Sequence, residues 1–151
     1  MRQPAVAPTP DASSTRSNAT SDILAAVGAA WTAAATPWDP EALAALYTQD
    51  AMFLGGRPGH SVGREQIHAY FASYRGVILQ GKLELVDQHV RELAPDCLLA
   101  QGYGDFSFVL AGDVQTRSLL RTTLVLARQG DWKILQHHFS ASPSTPPLGD
   151  S

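Results

Sequence analysis

The sequence predicts an α+β fold, with helices first and a meander of antiparallel strands afterwards, in the order α-α-β-α-β-β-β-β. Two observations carry this. Apolar residues recur at helical spacing up to about residue 74, and at strand spacing from about residue 79 onward. Turn residues at Pro95-Asp96, Gly112-Asp113 and Gly130-Asp131 then cut the second half into four long segments. A run of helices followed by a run of strands excludes the alternation that a parallel sheet requires.

Taken in order, residues 1–20 hold three prolines and many small polar residues, and read as a flexible tail. The folded domain is expected over 21–143, with a second proline-rich tail at 144–151. Ser21-Asp22 offers a helix cap, followed by the stripe Ile23, Leu24, Val27, Trp31 and Ala34. Pro37 ends that helix. Asp39-Pro40-Glu41 starts a second, short one, because proline at the first helical position gives up no amide that the helix uses. Leu43, Leu46 and Tyr47 form its buried side. A brief strand over 51–54 leads into a glycine-rich loop at 55–60. The third helix, about 64–74, turns Ile67, Tyr70, Phe71 and Tyr74 to the core, with His68 just beside that stripe. Four long strands follow at about 79–92, 97–109, 115–128 and 131–140.

Period-two reading divides each strand into two faces. On the third long strand Leu119, Arg121, Thr123 and Val125 oppose Leu120, Thr122, Leu124 and Leu126. On the last, Lys133, Leu135, His137 and Phe139 oppose Trp132, Ile134, Gln136, His138 and Ser140. Both faces are largely apolar, yet three short helices cover only one. The uncovered face is therefore expected to pair with a second copy, as a homodimer packed through the sheet.

Composition excludes several function classes. The 151 residues carry a net charge of −3 and only two lysines, so neither a nucleic acid nor a membrane surface is expected as partner. No stretch reaches the length of a membrane span, and no secretion signal is legible, so a cytoplasmic location is expected. The single cysteine, Cys97, lies in an apolar run and reads as a small buried hydrophobe. No metal and no cofactor is expected: His137 and His138 point to opposite sides of a strand, and the Glu65/His68 pair has no second copy. The loop at 55–59 lacks the Lys-Ser/Thr of a phosphate cradle. Asp105 points away from Phe106 by parity.

Several stretches together carry a resemblance: Pro40-Glu41-Ala42-Leu43, Val62-Gly63 with His68-Ala69-Tyr70-Phe71, His89-Val90, and above all Arg128-Gln129-Gly130-Asp131-Trp132 followed by His137-His138-Phe139-Ser140 and Ser142-Pro143. Over about 21–143 the chain resembles the nuclear-transport-factor-2-like (cystatin-like) superfamily. Within it, the chain is similar to the association (hub) domain of calcium/calmodulin-dependent protein kinase II and its SnoaL-like bacterial relatives. The resemblance implies a cone in which a strongly curved sheet wraps around the three helices and leaves a pocket. It also implies a pocket histidine, retained as His68. The three arginines that hold a small carboxylate in the hub fall here on Gly104, Thr123 and Phe139, so that triad is absent.

Arg121, two residues before Thr123, is expected to supply the missing cation on the same face, with His137 beside it. The expected pocket is thus lined by His68, Arg121 and His137, with Gly104, Thr123, Phe106, Phe108 and Phe139 around them, and Ala100 and Gly102 completing the wall. A guanidinium in an apolar cone attracts a carboxylate or enolate, and a nearby imidazole exchanges protons near neutral pH. Two functions follow. One is a dimeric binding or accessory protein that holds a small apolar acid. The other is a small isomerase, cyclase or hydrolase with His137 or His68 as acid/base and Arg121 as oxyanion stabiliser.

Overall fold

The computed structural model describes residues 12–150. Helix α1 spans Ala12–Ala34 and α2 Pro40–Ala44. Strand β1 (Tyr47–Leu54) pairs with the two-residue β2 (Ser61–Val62), and α3 is Arg64–Ala72. The long strands are β3 (Ile78–Ala94), β4 (Cys97–Leu110), β5 (Val114–Gln129) and β6 (Asp131–Ala141). They form one curved, unclosed six-stranded sheet in the order β2-β1-β6-β5-β4-β3. The α+β architecture is as expected, with three refinements. Strand β2 was not anticipated, β1 runs parallel to β6, and α1 begins upstream of the cap at Ser21-Asp22. Residues 1–11 of the expected tail lie outside the described residues, and 142–150 form no helix or strand.

Local chemistry accounts for the short elements. The Asp39 side chain accepts a hydrogen bond from the Ala42 amide at 3.1 Å, capping α2 behind Pro40. Arg64, at the start of α3, donates from Nε to the Tyr47 carbonyl at 2.9 Å and ties that helix to β1. α1 crosses β3, where the Thr36 hydroxyl donates to the Gly81 carbonyl at 2.9 Å. Its stripe of Leu24, Val27, Trp31 and Ala34 is buried as the spacing predicts, together with Ala35. α3 contributes Ile67 and Phe71, and the sheet contributes Leu83, Leu98, Ala100, Phe106, Leu124, Leu126 and Ile134. Cys97 is only partly buried, at the start of β4.

Rings dominate this core. Trp31 meets Phe106 edge-on with centroids 5.7 Å apart, and Phe71 at 6.4 Å. Each such pair adds about 0.5–1.5 kcal/mol beyond the area it buries. Gly104 makes room for them: a Cβ there would lie 2.7 Å from Phe106 Cε2 and 2.9 Å from Thr122 Cγ2.

Gly104→Ala should therefore overpack the core and destabilise the fold by about 1–3 kcal/mol. A urea denaturation midpoint unchanged by this substitution would refute the tight fit.

Candidate functional site

Two β-bulges decide which side chains share a face. In β6, Val125 pairs with Gln136 but Leu126 with Ile134, leaving Leu135 as the extra residue. The bulge lets Ile134 and His137 both turn inward, where unbroken alternation opposes them, and both are buried. In β3, Asp87 and Gln88 together oppose Gly102, because Val86 pairs with Tyr103 and His89 with Gln101. A Cβ on Gly102 would lie 2.5 Å from the Asp87 carbonyl, so only glycine fits under that bulge.

Residues directly opposite one another in an antiparallel pair point to the same side. Leu124 pairs with both Ala100 and His137, which fixes the inner face. Arg121 pairs with both Tyr103 and Ser140, and Thr123 with Gln101 and His138, on the outer face.

At the centre of the inner face stands His137, fully buried. Its Nδ1 lies 2.9 Å from the Tyr47 hydroxyl, and that phenol is also fully buried. Ring centroids of Phe139, Phe53 and Tyr47 lie 5.0, 5.7 and 6.2 Å away. Burial first, then the neighbouring His138, pushes the imidazole pKa down to about 3, so the ring is neutral at pH 7. Burial likewise raises the Tyr47 phenol above its ordinary value, partly opposed by the Trp31 indole, so it keeps its proton. Among the described residues the phenol has one acceptor in hydrogen-bond geometry, His137 Nδ1. The phenol must donate there, which leaves the imidazole proton on Nε2. That N–H is buried without a protein partner among the described residues, as is the Thr122 hydroxyl. An unpaired buried polar group of this kind costs about 1–3 kcal/mol.

The expected pocket is thus divided. His137, Gly104, Phe106, Phe108 and Phe139 line the aromatic interior; Phe106 and Phe139 lie 4.9 Å apart between centroids. Arg121 and Thr123 do not join them. The inward position on β5 is Thr122, one residue from that assigned by resemblance, because β5 turns Leu120, Thr122, Leu124 and Leu126 to the core. His68 is also displaced. Its Nε2 lies 3.1 Å from Glu41 Oε1 on the protein surface, beside the Arg75–Glu41 ion pair. His68, a backbone amide and Arg75 together hold the Glu41 carboxyl down to about 2. Among the described residues, arginine–carboxylate ion pairs join Arg75 to Glu41, Arg117 to Asp105 and Arg128 to Asp96, and none involves Arg121. Asp105 points outward as parity requires and is held below its usual range by Arg117.

The outer face carries a depression of about 540 Å³ across β3 to β6, to which Asp87, His89, Tyr103, Arg121, His138 and Ser140 contribute. Sequence reasoning passed over this grouping because it placed Arg121 inside. The three-residue rows Tyr103–Arg121–Ser140 and Gln101–Thr123–His138 become visible only once the register is known. No group of three or more His, Cys, Asp or Glu side chains among the described residues is arranged to hold a metal ion. No helix among them is long and apolar enough to cross a membrane.

With this geometry in view, the chain is assigned to the SnoaL-like domain family, whose profile matches residues 24–144. A comparison with curated proteins gives no match. Solved structures share the fold. A Caulobacter vibrioides protein with a cystatin-like fold is 26% identical over 82% of this chain and 90% of its own, at a TM-score of 0.63. A Xanthomonas campestris protein, tentative only in its assignment as a calcium/calmodulin-dependent protein kinase II association domain, is 24% identical over 93% and 95%, at 0.66. A ketosteroid isomerase-like protein from Erwinia carotovora is 19% identical over 81% and 96%, at 0.63.

The buried imidazole sets a pH dependence. Its pKa is lowered from 6.5 to about 3, so on acidification the unfolded chain takes up this proton first. Its contribution is fully present above pH 6.5 and is lost as the pH falls toward 3. Between pH 6 and 5, above the 4.5 of an ordinary glutamate, the loss should approach about 1.4 kcal/mol per pH unit. Urea titrations should show this slope in the wild type and not in His137→Phe; a flat wild-type profile would contradict the buried neutral histidine.

Proposed function

We propose that this chain is a small-molecule-binding accessory protein whose aromatic hollow holds a compact, largely apolar ligand through the His137 Nε2–H. The single observation behind this reading is that buried, unpartnered N–H donor. A donor of this kind fits a carbonyl or ether oxygen. The acidic ligand expected from the sequence loses its support here, since Arg121 lies on the other side of the sheet. An isomerase-like reaction needs a base in the hollow as well. The buried polar side chains among the described residues are Thr48, Thr122 and His137, none a carboxylate, and the free lone pair of His137 is already engaged by Tyr47. Binding is therefore favoured over acid/base catalysis.

A second copy belongs to the same proposal. On the outer face, Leu99, Val125, Gln136, Met52 and Val62 form one row across β4, β5, β6, β1 and β2. Met52 and Val62 are 49% and 53% exposed, so pairing two chains along this row would remove apolar surface from water.

The ligand reading is tested by displacing the neutral dye N-phenyl-1-naphthylamine with cyclohexanone or acetophenone. Wild-type protein should bind the dye and release it to ketone, and His137→Phe should weaken the ketone about five- to tenfold, as loss of one hydrogen bond requires. Absence of dye binding, or equal ketone affinity in the variant, would overturn it. For the pairing, light scattering should give twice the 16.2 kDa chain mass for the wild type and the single mass for Val125→Lys. A monomeric wild type would remove the second copy.

A further inference from the structure

The outer-face depression is chemically unlike the aromatic core behind it. The Arg121 side chain is exposed and has no carboxylate partner among the described residues, whereas Arg75, Arg117 and Arg128 are all ion-paired. Around it stand the Tyr103 ring on β4, the Ser140 hydroxyl and His138 imidazole on β6, and His89 on β3. A planar guanidinium without a counter-charge, set among hydroxyl and imidazole groups on a rigid sheet, matches a carboxylate bidentately. Sheet strands are more precise supports for such a constellation than loops.

One acidic group belongs to the depression as well. Asp87, thrust out by the β3 bulge, lines it two strands from Arg121, a separation of about 10 Å at the usual strand spacing. Between them lies Tyr103 on β4, 38% exposed and so available as an apolar surface. A doubly charged anion is disfavoured by that carboxylate, while a hydrogen-bond donor at the far end of the ligand is rewarded.

We infer that this depression is a second binding site, specific for a planar monocarboxylic acid with a hydroxyl or amino donor at its opposite end. The carboxylate lies on Arg121, the ring over Tyr103, and the donor toward Asp87. This site is separate from the hollow around His137 and adjoins the apolar row assigned to a second copy without including it.

Isothermal titration of the full chain with 4-hydroxybenzoate, benzoate and inorganic phosphate tests the assignment. The expected order is 4-hydroxybenzoate tightest, benzoate weaker, and phosphate weakest. Arg121→Gln should weaken 4-hydroxybenzoate at least tenfold. Asp87→Asn should reduce its preference over benzoate, and saturating acetophenone should leave the binding of all three unchanged, separating this site from the interior around His137. Equal binding by wild type and Arg121→Gln, or phosphate binding tightest, would overturn the proposal. So would a change of subunit number in Arg121→Gln by native mass spectrometry, since Arg121 would then belong to the contact between copies.

Discussion

The hydrogen bond between Tyr47 and His137 is the interaction on which the rest of this structure depends. It joins β1 to β6, the parallel pair within the sheet, and it lies inside a core built otherwise from rings and aliphatic side chains. In such surroundings neither partner can be left alone. A buried phenol or imidazole without a partner costs about as much as several well-made contacts contribute. The pair therefore fixes β1 against β6 and selects one tautomer. It also leaves the interior with a neutral imidazole, not a charge.

From that constraint the two faces of the sheet acquire different chemistries. The interior holds His137 and Thr122 as isolated polar points among Phe53, Phe106 and Phe139. The outer face holds Arg121, His89, His138 and Asp87, all in contact with solvent. Adjacent residues on β6, His137 and His138, belong to different environments separated by the thickness of one sheet. The bulge at Leu135 is what brings Ile134 and His137 to the same side, and without it one of these buried residues would face water.

Much of the architecture was legible in the amino-acid order. The four long strands fall within a few residues of their expected limits, because Pro95-Asp96, Gly112-Asp113 and Gly130-Asp131 are strong turn signals and the intervening segments are rich in branched and aromatic residues. The Asp39 cap was equally plain. The upstream part of α1 was not, since residues 12–20 offer no apolar stripe from which a helix could be read. Strand β2 is two residues long and leaves no periodic trace.

Which residues of the candidate site turn inward was legible only in part. His137 and the aromatic wall were identified, but period two cannot say which face is buried when both are apolar. The bulges at Leu135 and Asp87-Gln88 carry no composition signal that marks them. The resemblance falls on Thr123, whereas Thr122 turns inward, because a resemblance at this distance leaves strand register uncertain by one residue, and one residue reverses the face. Arg121 followed Thr123 to the wrong side for the same reason. His68 is drawn to Glu41, a partner 27 residues away in sequence on α2, which helical spacing on α3 alone does not reveal. The most direct test of the central claim is a long-range proton–nitrogen NMR correlation of the histidine rings at pH 5. The account predicts for His137 an unprotonated Nδ1 and a protonated Nε2, unchanged from pH 7; a doubly protonated ring, or a proton on Nδ1, would contradict it.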